Sequence, residues 1–115
     1  MEKNDALLAF SALGQATRMD VFRLLLNADP DGMAAGGIAE ALNVRANTLS
    51  ANLATLSRAG LIRQQREGRS IRYFADLNGL KGILGYLTED CCHGRPELCG
   101  NFTAGIGSTP GDQQQ

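Results

Sequence analysis

A tight turn at Asn43-Val44-Arg45 separates two short stretches of helical periodicity, and two alternating stretches joined through a glycine follow directly. Ala35 to Leu42 places Ile38 and Leu42 on one face, with Gly36 and Gly37 weakening its start. From Ala46 or Asn47 onward, Leu49, Leu53 and Leu56 recur at i, i+4 and i+7 until Gly60 offers a C-cap. Two short helices about so tight a turn predict a helix-turn-helix. Leu61 to Arg66 and Ser70 to Ala75 then alternate as strands do, and Glu67-Gly68-Arg69 between them puts glycine where a positive φ is wanted. That hairpin reads as a wing.

The flanks supply the rest of a small helical domain. Leu7, Leu8 and Phe10 give an apolar surface to a helix over Asp5 to Phe10, which Leu13-Gly14-Gln15 interrupts. Thr17 is the expected N-cap region of a second helix carrying Met19, Phe22, Leu25 and Leu26, ended by a loop over Asn27 to Gly32. After Asp76, the residues Leu77, Leu80, Ile83, Leu84 and Leu87 form the stripe of a last helix. The expected class is therefore mainly α with a small β-hairpin, a winged helix-turn-helix over 1–90, then a cysteine segment over 91–99. A tail over 100–115, rich in glycine, serine and glutamine, is expected to be disordered. At 115 residues the core is small, and the first and last helices carry more apolar surface than it requires, which predicts a homodimer through those two helices. No apolar run nears the roughly 20 residues of a membrane span, and the start lacks the layout of a secretion signal, so no membrane partner is expected and the place of action is cytoplasmic.

Charge narrows the partner. The net charge is only −1, yet Arg45, Arg58, Arg63, Arg66, Arg69 and Arg72 fall within one segment that holds a single acid, Glu67. Such a segment attracts phosphate backbones whatever their sequence; the plain alternative is a solvated arginine-rich hairpin. The three cysteines of the chain, Cys91, Cys92 and Cys99, lie together beyond the last helical stripe. In a reducing compartment clustered thiols in odd number point to a metal-binding or redox-active group rather than a disulfide scaffold.

The order of elements, Ala12-Leu13-Gly14-Gln15-Ala16-Thr17-Arg18 near the start, the run from Thr48 to Ile62 and the wing Arg66-Glu67-Gly68-Arg69-Ser70-Ile71-Arg72-Tyr73 together resemble the ArsR/SmtB family of winged-helix repressors, over about Ala6 to Leu87. The cysteine pair followed by a third cysteine looks like the C-terminal site of an arsenic-responsive subgroup. The resemblance implies a homodimer that binds operator double-stranded DNA and represses an arsenic-resistance operon until the toxic ion releases it. Two departures stand out: the recognition-helix region has no cysteine, and Ala51-Asn52 replaces the basic residue and histidine of many relatives.

A recognition helix must turn short hydrogen-bonding side chains from its N-terminal half toward base edges. Asn47, Thr48, Ser50, Ala51 and Asn52 meet that need: Asn52 toward adenine, Thr48 or Ser50 toward a base or phosphate, Ala51 toward a thymine methyl. Ser and Thr near a helix start serve equally as caps. Arg58 at the far end of the helix, with Arg66 and Arg69 flanking the wing turn, are the expected phosphate or minor-groove contacts, while Arg63 and Arg72 within the strands pair with Glu67 or coat the sheet.

Cys91, Cys92 and Cys99 suit As(III), or Sb(III), because three thiolates neutralise a trivalent centre whose lone pair takes the place of a fourth ligand. Copper(I), zinc or cadmium with help from His93, and a reversible disulfide between Cys99 and Cys91 or Cys92 stay open. A winged-helix metal chaperone is a second reading. An enzyme is the weakest, since no buried base or phosphate loop accompanies the lone His93.

Overall fold

The computed structural model describes residues 1–91; Cys92, Cys99 and the tail over 100–115 lie outside the described residues. Five helices and a three-stranded sheet follow the order α1 (Lys3–Leu13), α2 (Ala16–Ala28), β1 (Met33–Ala34), α3 (Ala35–Leu42), α4 (Ala46–Arg58), β2 (Ile62–Glu67), β3 (Ser70–Ala75), α5 (Leu77–Cys91). This is the mainly helical winged helix-turn-helix expected from the sequence.

Each boundary has a local cause. Gln15, not Thr17, caps α2: its Oε1 accepts from the Arg18 backbone N–H at 2.8 Å, satisfying one of the orphan donors of the first turn. Asn43 ends α3 in the left-handed region at φ 56, a conformation its short polar side chain tolerates, and that reversal brings α4 in at once. Asp76 starts α5, its Oδ1 accepting from the backbone N–H groups of Asn78 (3.0 Å) and Gly79 (3.3 Å).

The core draws on every helix. Val21, Phe22 and Leu25 of α2, Ile38 of α3, Leu49, Leu53 and Leu56 of α4 and Ile83 of α5 are all buried, with Leu61, Ile62 and Ala75 closing the sheet side. The fully buried residues of α1 are all alanines, Ala6, Ala9 and Ala12, with Leu13 packed partly buried at its end, so the helix lies close on the core while Leu7, Leu8 and Phe10 are exposed. Leu77 and Leu87 of α5 and Met19 of α2 are also exposed, the last against the sequence expectation that it packs inward.

The sheet is larger than the expected hairpin. Its order is β1-β3-β2, all antiparallel, with Met33 opposite Tyr73, Ala34 opposite Arg72, and Ile62 to Glu67 opposite Ala75 to Ser70. Strand β1 falls just beyond the expected loop and is too short to show a period. It is held by Arg72, whose Nε donates to Asp31 O (2.7 Å) and Nη2 to Gly32 O (3.3 Å). At Gly32, with φ +69, a side chain would meet the Phe74 ring and the Tyr73 carbonyl, so only glycine lets the chain turn onto the sheet there.

Candidate nucleic-acid interface

Helix α4 has two faces with different jobs. Leu49, Leu53 and Leu56 lock one side into the core, and Asn47, Thr48, Ser50 and Ala51 stand exposed on the other, as a helix presented to a groove requires. Asn47 Oδ1 accepts from the Thr48 backbone N–H at 2.9 Å, so this side chain also serves the first turn of the helix.

Asn52 departs from the expectation. It is 6% exposed, and its Oδ1 accepts from Arg18 Nη1 at 3.1 Å, which turns it away from the surface where a base edge would lie. The periodicity held the signal: Asn52 is three residues after Leu49 and four before Leu56, so it shares their inner face.

The arginines divide the same way. Arg63 lies over the Phe74 ring at 4.5 Å to its centroid, and Arg72 is bonded to the loop before β1, so both are tied to the sheet; neither pairs with Glu67. Arg58 folds back along α4, its Nη2 donating to Thr55 Oγ1 at 3.3 Å while Thr55 Oγ1 donates to Ala51 O. Arg45, Arg66 and Arg69 are exposed and make no side-chain bond or ion pair among the described residues. They remain available for solvent or a polyanion.

Between α4 and the wing runs a cleft of about 330 Å³ lined by Ser50, Leu53, Ala54, Ser57, Arg58, Gln64 and Tyr73. Ser57, Gln64 and Tyr73 were absent from the expected contacts, because only the packing of the hairpin beside α4 brings these distant positions together. Of the thiols, Cys91 is the last residue of α5; Cys92 and Cys99 lie outside the described residues. No described helix is long and apolar enough to cross a membrane.

A core-anchored helix with an exposed polar N-terminal half, flanked by a basic wing, is the winged helix-turn-helix architecture. Residues 13–65 match the family described as a helix-turn-helix domain. Solved structures share the architecture. HlyU from Vibrio cholerae is 25% identical with a TM-score of 0.62, covering 81% of this chain and 100% of that one. The same protein in a reduced form is 22% identical, TM-score 0.59, covering 73% and 88%. An ArsR-like transcriptional regulator from Rhodococcus is 23% identical, TM-score 0.71, covering 92% and 95%. A homodimeric winged helix-turn-helix DNA-binding domain from Mycobacterium bovis, a possible ArsR-family regulator, is 24% identical, TM-score 0.62, covering 78% and 82%. No curated protein shows significant sequence similarity to the chain.

Proposed function

We propose that the protein is a cytoplasmic, homodimeric repressor of the ArsR/SmtB family that binds operator DNA of an arsenic-resistance operon and lets go when As(III) is held by Cys91, Cys92 and Cys99. The observation that carries the DNA half is the exposed Asn47-Thr48-Ser50-Ala51 face beside Arg66 and Arg69 with no side-chain partner among the described residues. The apolar residues left outward on α1 and α5 support the dimer, since no described residue of one subunit covers them. Two recognition helices about 34 Å apart then call for an imperfect palindrome with half-sites one turn apart.

The ion half rests on donor chemistry and on the end of α5. Three thiolates match a trivalent pyramidal centre, and α5, which carries Cys91 as its last described residue, packs against α1. An ion bound there releases DNA only if it favours the DNA-incompetent state, and linkage then requires operator to weaken ion binding by the same factor.

Fluorescence anisotropy of the reduced protein on its own upstream DNA, titrated with arsenite, tests both halves. Release is expected in the wild type and lost in Cys91→Ser, Cys92→Ser and Cys99→Ser alike; equal ion affinity with and without operator sinks the coupling. A two-cysteine requirement would favour a methylated As(III) species. A thiol-redox switch is the second reading, supported by a similar protein, HlyU, having been solved in a reduced form. Release by oxidant but not arsenite would select it.

A further inference from the structure

The recognition helix is anchored at two points, and both anchors lead to the helices that face outward. Near its middle, Asn52 Oδ1 accepts from Arg18 Nη1 (3.1 Å), and the same guanidinium donates through Nε to Ala12 O (2.6 Å). Arg18 lies in the first turn of α2 and Ala12 in the last turn of α1, so one planar group joins three helices. The Ala12 carbonyl is among the oxygens that a helix end leaves without an intrahelical partner. A guanidinium is permanently charged and its donors are fixed in one plane, so holding Ala12 O and Asn52 Oδ1 together defines an angle as well as a distance. At the C-terminal end of α4 the contact is backbone on backbone: a Cβ at Gly79 of α5 would collide with the Gly60 carbonyl, and the Asp76 N–H donates to Leu61 O at 2.8 Å.

We propose that Arg18 and Asn52 are positioning residues for operator recognition, setting the tilt of α4 against α1 so that the outward face of α1 and the base-reading face of α4 move as one body. Asn52 then determines DNA specificity without touching DNA. The inference rests on the proposed dimeric DNA-binding function and assigns to this junction what that function needs. In a two-fold dimer the separation of the recognition helices must match half-site spacing, and a small change in tilt at each subunit alters that separation twice over. The pairing also explains why a polar residue sits among Leu49, Leu53 and Leu56. Without a partner the buried Asn52 amide oxygen would be an unsatisfied acceptor, and the half-buried Arg18 guanidinium supplies its donor.

The test uses the full chain, the footprinted operator, and duplexes with one base pair inserted or removed between the half-sites. Asn52→Ala is expected to stay dimeric by sedimentation and to bind unrelated DNA as the wild type does. Its operator affinity should fall about tenfold, the scale of coupling within one hydrogen-bonded network, and its preference among the three spacings should flatten. Asn52→Asp keeps an acceptor for Arg18 and should retain the spacing preference, whereas a residue facing a base would lose binding with the added negative charge. Should Asn52→Ala fail to fold, Arg18→Lys carries the same spacing test, because it keeps the charge and loses the fork. Wild-type affinity and spacing preference in Asn52→Ala, or equal loss of operator binding in Asn52→Ala and Asn52→Asp, would overturn the proposal. A wild type that binds none of its upstream DNA at low salt would overturn the DNA-binding reading itself.

Discussion

Arg72 donates to Asp31 O at 2.7 Å and to Gly32 O at 3.3 Å, whereas Arg69, three residues earlier, has no side-chain partner among the described residues. The same side chain therefore has different consequences when removed. Arg72→Ala leaves two carbonyls of the loop before β1 without their charged donor and is expected to destabilise the fold by about 1–3 kcal/mol in denaturant titration. Arg69→Ala should leave stability within about 0.5 kcal/mol, as exposed substitutions usually do. It should instead weaken binding to operator and unrelated duplex alike, lowering the slope of log K against log salt by about 1 per subunit contact. A count of arginines in the sequence gives the charge of the segment but not this division, because the partners of Arg72 are 40 or more residues away. Asn52 is the opposite case, since the spacing of Leu49 and Leu56 already placed it on the inner face.

At the scale of elements, the helix-turn-helix and the wing were legible because their causes are local. Leu49, Leu53 and Leu56 set the inner face of α4, Asn43 supplies the left-handed turn, and Gly68 at φ 64 turns the hairpin. Strand β1 was missed because two residues, Met33 and Ala34, carry no period; what makes them a strand is Tyr73 and Arg72 across the ladder. Residue type alone points to Thr17 as the cap of α2, yet the last extended residue before the helix is Gln15, whose side-chain oxygen accepts from the Arg18 N–H. The start of α5 is decided by contact. Gly79→Ala would drive a methyl into the Gly60 carbonyl, and since neither backbone can give way freely, a loss of about 1–3 kcal/mol is expected, read as a lowered melting midpoint. Gly85→Ala, in open space on the same helix, is the control and should hold or slightly raise stability through helix propensity.

Across the whole molecule, the unresolved demand is the apolar surface on α1 and α5. Leu7 is 54% exposed and Leu87 47%, on helices whose other faces are already in the core. Leu7→Asp is expected to leave the subunit folded, shift sedimentation equilibrium toward monomer and weaken operator binding with it, because a monomer reads one half-site. A variant that stays dimeric would move the interface elsewhere. What the sequence by itself determined is the set of elements and the chemistry at hand, since helical period, turn residues, charge clustering and thiol clustering are properties of neighbours along the chain. The tertiary structure alone decided which arginines are spent on the sheet, that β1 joins it, and that Arg18 ties α4 to α1. Those outcomes depend on groups far apart in the chain, which meet only when the core closes.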